Sequence, residues 1–283
     1  MATYISSAKK SVVGEFFGGL ATFWRKRWLL KYFIQRQVTR SYKRSYLGIS
    51  WILLSPLVWV FFLALIFSEQ FGIKGRITPV PGQENLNFGL YLYCGLLPFL
   101  AFSEAMNKGM NAVKSSAGLV QKVVFPMEIL PFTNTIASMI DKFFGVGALL
   151  IVVVLFGRDL HWTALALPLI VVLQVVFILG LCYFMAVIGT YLPDLSEVMR
   201  PVIRGMFFLT PIIWTPDRLP EEIRWVVDYN PLAYLVNAYR EAVLFGNLPG
   251  ALSTLYFTLF SVALFVVGFA LFNRLKGGFA DRL

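Results

Sequence analysis

An all-α integral membrane protein with six transmembrane helices is the fold class predicted for this 283-residue chain, on three observations. Hydrophobic residues make up 58% of the chain and charged residues 14%, with a mean hydropathy of +0.72. A soluble domain so composed would lack the polar surface to cover its core, so the surrounding solvent is a bilayer. Six apolar stretches, 49–67, 88–105, 131–156, 163–191, 201–214 and 252–272, approach the roughly 20 residues that a spanning helix needs. Lys and Arg divide unevenly between them, eighteen on the side of the N-terminus against six on the other. Basic residues are retained on the cytoplasmic side, so both termini are expected there. The net charge of +10 is then a topology signal with attraction to anionic headgroups, and it makes no case for nucleic acid. Residues 1–48 are basic and only patchily apolar, so no cleavable signal peptide is expected.

Within residues 12–30, Val13, Phe16, Phe17, Leu20, Phe23 and Trp24 fall near i, i+3, i+4, i+7 spacing, followed by Arg25, Lys26 and Arg27. This pattern predicts an amphipathic helix along the inner leaflet. In the next segment Arg36, Arg40, Lys43 and Arg44 occupy i, i+4, i+7 and i+8, one basic helix face leading into the first span at Gly48. Such a face suits receipt of a phosphate or diphosphate at the membrane surface. Orientation and lipid contact are the other reading. Pro56 predicts a kink in the first span, and residues 70–87 are a polar loop rich in Gly and Pro. The second span carries Tyr91, Phe99, Phe102 and, near its cytoplasmic end, Glu104, read as structural.

Between the second and third spans, Leu119, Val120, Gln121, Lys122, Val123, Val124 and Phe125 predict a short helix stopped before Pro126 that faces a cytoplasmic partner. Asp141 and Lys142 are adjacent within the third span and point about 100° apart on a helix. Pairing between segments is the favoured reading, with lining of a pathway as the alternative. Gly180, Ala186 and Gly189 in the fourth span allow close helix packing. Its exit, with Asp194, Glu197 and Arg200, forms a second short cytoplasmic turn. Residues 201–246 begin apolar, break at Pro211 and Pro216, turn amphipathic, and end a shorter apolar piece on Arg240 and Glu241. Charges between apolar half-segments cost several kcal/mol near hydrocarbon unless paired or wet, so a re-entrant element facing a polar pathway is expected. Arg274, Lys276 and Arg282 place the C-terminus inside. No internal repeat or second soluble domain is visible; residues 1–48 read as the cytoplasmic helices and 49–283 as one membrane domain.

Catalytic motifs are missing. Cys94 and Cys182 lie in predicted spans and read as packing residues, and the single histidine, His161, reads as a solvated loop residue beside Asp159. There is no G-x-x-x-x-G-K-[ST], H-E-x-x-H or G-x-S-x-G, and no metal ligand set is expected. The carboxylates Glu104, Asp141 and Glu241 belong to distant segments. Transport without bond-making fits this inventory better than a membrane-embedded enzyme.

Three separated motifs, the basic helix with YLGISWILLSPL, then GLVQKVVFPMEILP, then FFLTPIIWTPDRLPEEIRWVVDYNPLAYLVNAYREAVLFG, closely resemble the type-2 ABC permeases that export polysaccharides. These are the membrane subunits for lipid-linked O-antigen, capsular polysaccharide and wall teichoic acid. The resemblance runs from about Lys31 to the C-terminus and implies a homodimer of permeases working in the cytoplasmic membrane with two separate ATPase subunits, which bind the ATP and Mg. No cofactor is implied in this chain. It implies a coupling helix at Gly118–Pro126 and a second ATPase contact at Leu192–Val198. Arg36, Arg40, Lys43 and Arg44 would lie on a gate helix where a lipid diphosphate enters. Residues 219–227 and 231–245 would be re-entrant helices closing the periplasmic exit, with Tyr229, Asn230, Pro231, Tyr234, Arg240 and Glu241. An aromatic lining on which sugar rings slip would draw on Trp51, Trp59, Tyr91, Phe99, Phe102, Phe207 and Phe208. The rivals are a drug or small-molecule exporter on the same scaffold, since fold does not fix cargo, and the glycolipid enzyme.

Overall fold

The computed structural model describes residues 12–42, 46–66, 88–122, 125–155, 160–192, 194–215 and 220–282. The described residues contain helices and turns and no strand, as a bilayer requires of a chain that must satisfy its backbone polar groups internally. The helices are α1 (Val12–Arg25), α2 (Arg27–Tyr42), α3 (Trp51–Ile66), α4 (Phe88–Met110), α5 (Ala117–Lys122), α6 (Ile129–Leu155), α7 (Leu167–Tyr191), α8 (Leu195–Leu209), α9 (Glu221–Asp228), α10 (Pro231–Arg240) and α11 (Ala251–Leu275).

Four of these segments are long and apolar enough to cross a membrane: α4, α6, α7 with its leading 3-10 turn, and α11 with its trailing one. The other two expected spans are shorter. Sixteen residues of α3 are described, and α8 has fifteen. At 1.5 Å per residue α8 reaches only about 22 Å. It also begins at Leu195, six residues before the expected start, and stops at Leu209 because Pro211 cannot continue the hydrogen-bond ladder.

The bundle is organised around α4 and α7. α7 runs along α11, α4 packs on α6, α7 and α10, and α3 lies against α4 and α6. Close approach of α7 and α11 depends on glycine: a Cβ at Gly180 would meet the Phe265 amide nitrogen at 2.6 Å, and one at Gly268 would overlap the Gly180 carbonyl. Gly189 faces the Met110 backbone in the same way, and Ala186 is fully buried. The main apolar core joins α4, α6, α7, α10 and the N-terminal half of α11. A second core, at the end that carries α5, joins Val113, Val120 and Leu130 to Tyr183, Phe269, Phe272 and Phe279. Each such aromatic ring contributes about 2 kcal/mol by leaving water or headgroup.

α1 does more than lie on a leaflet. Gly19 abuts Phe269, and the Phe23 ring sits 4.9 Å from Phe132 and 5.9 Å from Phe269, so the helix docks on α11 and the start of α6. Trp24 and Trp28 stay exposed beside Arg25, Lys26 and Arg27. The side chains of Val13, Phe16, Phe17 and Leu20 lie outside the described residues, as do the loop 70–87 and Asp159. His161 is not the solvated residue expected: its half-buried ring occupies the space beside Gly246, whose φ of +70° closes the turn after α10.

Candidate functional site

A polar cavity of about 790 Å³ opens between α2, the last turns of α4, the turn before α5, and the start of α6. α2 contributes Phe33, Arg36 and Gln37, α4 contributes Glu104, Asn107 and Lys108, and Asn111, Ser115, Ser116, Gly118, Leu130, Thr133 and Asn134 complete the wall. On α4 the residues 104, 107 and 108 recur at helical spacing, so one face of an otherwise apolar helix turns polar where it leaves the bundle. Gln37 donates to the Asn134 side-chain carbonyl and ties α2 to α6. Glu104 is gripped between Lys108 at 2.5 Å and Lys142 at 2.7 Å. Two cations hold this one carboxylate, and Arg36 adds a guanidinium from α2. The pairing of Lys142 to another segment is the one the sequence favoured. The Asp141 side chain and those of Arg40, Lys43 and Arg44 lie outside the described residues, although the backbone of Arg40 continues α2 from Arg36.

α5 is a single six-residue helix. The expectation that Val120 faces a partner is corrected. Val120 is buried in the second core, and Phe125 is partly buried with its ring 5.2 Å from Phe33 of α2. An amphipathic turn beside a bundle puts its apolar side chains inward. Gln121 is exposed; Val123 and the side chains of Leu119 and Lys122 lie outside the described residues. At the head of α8, Asp194 and Glu197 are exposed, and Glu197 pairs with Arg200 at 2.9 Å.

The aromatic candidates separate into two groups. Tyr91, Phe99 and Phe102 are core residues, each 5% exposed or less, with Phe99 edge-on to Phe207 at 5.4 Å and Phe102 stacked on Phe177. In this arrangement they pack helices together and face no open wall, because α4 is enclosed by α6, α7 and α10. Trp51, Trp59 and Phe208 are exposed, and Phe207 is partly buried.

At the opposite end, α9 leads into α10 through Tyr229 and Asn230. Tyr229 is exposed; Asn230 caps α10 by accepting from the Leu232 amide at 2.9 Å, and Pro231 holds the first helical position. Tyr234 donates to Thr254 at 2.9 Å and stacks on Phe257 at 4.5 Å. Arg240 departs from expectation. It is 1% exposed, neither paired with Glu241 nor in water, and it lies 3.5 Å over the Tyr91 ring. Its guanidinium donates to the carbonyls of Pro211 at 2.6 Å, Ile212 at 2.7 Å and Tyr91 at 3.4 Å. The reason is the break after α8. A helix end leaves carbonyls without intrahelical partners, and a planar five-donor cation satisfies several at once. Gly95 leaves room for it, since a Cβ there would stand 2.7 Å from Nη2. Glu241 opens a π-helical turn, Glu241–Phe245, and burial raises its carboxyl above the usual carboxylate range.

Sequence reasoning missed Asn107, Lys108, Asn111 and Asn134, whose signal was the polar periodicity at the end of α4 and in the first turns of α6. It also missed Gln174, which accepts from Tyr239 at 2.7 Å and donates to the Pro98 carbonyl at 3.1 Å, joining α7, α10 and the proline in α4. Among the described residues no three His, Cys, Asp or Glu side chains assemble as metal ligands, and Cys94 and Cys182 are separate buried thiols.

A helical bundle with four helices long and apolar enough to cross a membrane, a polar pocket at one end and an arginine-bound helix break at the other, has the build of a multi-pass membrane protein. The chain belongs to the ABC-2 type transporter family, whose pattern it matches over residues 29–244. It is 29% identical over 258 residues to an O-antigen export system permease protein, RfbA, of Klebsiella pneumoniae, covering 90% of this chain and 95% of that protein. A protein of the same description from Myxococcus xanthus is 26% identical, with 91% and 96% covered. The polysialic acid transport protein KpsM of Escherichia coli is 24% identical, with 84% and 90% covered.

Proposed function

We propose that this chain is the membrane subunit of an exporter that moves a lipid-linked polysaccharide, O-antigen being the first choice, across the cytoplasmic membrane. Two copies work with two separate ATPase subunits, both termini are cytoplasmic, and α3, α4, α6, α7, α8 and α11 serve as the six spans. The observation that carries the reading is the cavity at the α5 end, whose polar wall holds Arg36 of α2 and Lys108 of α4. A neutral drug has no use for cationic side chains in a polar wall, whereas a diphosphate headgroup gains charge-assisted hydrogen bonds there. Export of O-antigen by relatives aligned over nine-tenths of the chain supports the same cargo class.

In this mechanism the lipid diphosphate enters beneath α2, guided by Arg36 and the neighbouring Arg40, Lys43 and Arg44. ATP-driven closure of the partners pushes on α5, with Gln121 and the head of α8 at Asp194 and Glu197 as contacts, and the spans move as rigid bodies. Sugar rings pass along an interface between two copies, where Trp51, Trp59, Phe207 and Phe208 offer aromatic faces. The α9 and α10 helices, with Tyr229 between them, close the exit. The test is binding of a short-chain polyprenyl diphosphate glycan to the purified protein in nanodiscs. Arg36→Glu and Lys108→Glu should each weaken it about tenfold, the loss of roughly one charge-assisted contact, and more steeply at low salt. Unchanged affinity at low salt would overturn the headgroup site. The relatedness to a polysialic acid transport protein makes a capsular polysaccharide the second reading, decided by competition with the matching glycolipid. Turnover of a glycolipid by the chain without ATP or partner would overturn transport altogether.

A further inference from the structure

The junction between α5 and α6 is held by the far end of the chain. The Glu128 carboxylate, 4% exposed, pairs with Lys276 Nζ at 3.0 Å, and Lys276 is steadied by Asn273 Oδ1 at 2.8 Å. On α7, Tyr183 donates its hydroxyl to the Glu128 main-chain carbonyl at 2.7 Å. Past Lys276 the tail turns back, and Phe279 is fully buried, edge-on to Phe272 at 5.2 Å and to Tyr191 at 5.9 Å. The final turn, Ala280–Arg282, lies against α5 itself. Val120 of α5 shares one apolar cluster with Phe279, Phe272 and Tyr183.

A six-residue helix cannot hold its own place, because so short a helix is unstable outside tertiary contacts. Its described inward contacts lead to α6, α7 and the tail. Retention of basic residues on the cytoplasmic side would account for Lys276 being in the tail, but not for its pairing with a buried carboxylate 148 residues away. A carboxylate so enclosed requires a partner, since leaving it buried and unpaired is strongly unfavourable.

We propose that residues 276–282 are a brace for α5, with Lys276 and Phe279 as positioning residues that fix the ATPase-docking helix, so that the C-terminal tail belongs to the coupling machinery. The docking part rests on the function proposed above; the brace rests on the contacts just given.

The test uses the full-length permease in nanodiscs, alone and with its ATPase subunit, comparing Lys276→Glu, Phe279→Ala and the exchanged pair Glu128→Lys with Lys276→Glu. Hydrogen exchange at the α5 amides should quicken about tenfold in the first two and return towards wild type in the exchanged pair, with α10 amides unmoved. Affinity for the ATPase subunit should fall about fivefold in the single variants and recover in the exchanged pair. Where a charge reversal fails to insert, Lys276→Gln gives the same readout at smaller amplitude. Unaltered α5 exchange in Lys276→Gln and Phe279→Ala would overturn the brace. Faster exchange with unchanged ATPase affinity would overturn the tail's part in coupling. A wild-type chain that binds no ATPase subunit would instead overturn the docking reading.

Discussion

Arg240 shows how a single side chain can hold two broken elements together. Desolvation disfavours a cation so deeply enclosed, and it is retained by three carbonyl acceptors and the face of Tyr91. Arg240→Ala leaves the Pro211 and Ile212 carbonyls buried without a donor, a loss of about 3 kcal/mol. Lysine would recover part of this, since it lacks the fork that reaches both carbonyls. Thermal unfolding in detergent should show the order wild type, Lys, Ala. Gly95→Ala, which crowds Nη2, should destabilise the wild type but add little to Arg240→Ala, because both act on the same contact. Fully additive losses would mean that the two residues act independently. The neighbouring Glu241 carries a pH dependence of opposite origin. Its carboxyl is raised by burial, so the folded chain binds that proton more tightly than the unfolded chain. The associated stability is present below the ordinary carboxylate range and lost as pH rises through the raised value. Glu241→Gln should flatten that part of the stability profile and stabilise the protein at neutral pH.

At the scale of elements, the long helices were legible because an apolar run needs no partner to declare itself. α4, α6, α7 and α11 appear where the hydropathy puts them, within a few residues. The glycines that bring α7 and α11 together were legible in kind, and Gly180→Leu should separate the two helices, with losses of at least about 1–3 kcal/mol. A normal melting temperature for this variant would refute the close approach. What could not be read was which face of a short helix turns inward. Val120 and Phe125 look as available to a partner as Gln121 until α2 and the C-terminal tail are folded against them. The same limit applies to Arg240, whose acceptors exist only because α8 stops at Leu209 and the chain bends back 29 residues later in sequence. The polar pocket was half visible: Arg36 was read from its helix face, while Glu104 of its wall is tied to Lys142 only across 38 residues.

For the whole molecule, the two apolar cores divide the labour. The larger one locks α4, α6, α7 and α10 into a body that has no reason to deform, since packed interiors shift between discrete arrangements and do not stretch. α2 packs on that body along α6. At the rim of the cavity Gln37 donates to Asn134 and the Phe33 ring lies on Phe125. Admission of a bulky headgroup at the entrance proposed above requires these rim contacts to part by local opening. Joining α2 to α6 by a short thiol-reactive linker between Gln37→Cys and Asn134→Cys tests this directly. Cys94 and Cys182 are fully buried and should not compete for the reagent. With the linker in place, transport of the glycolipid should stop while basal ATP hydrolysis by the partner continues, and cleavage of a reducible linker should restore transport. Full export with α2 fastened to α6 would show that the pocket need not open and that the substrate enters elsewhere.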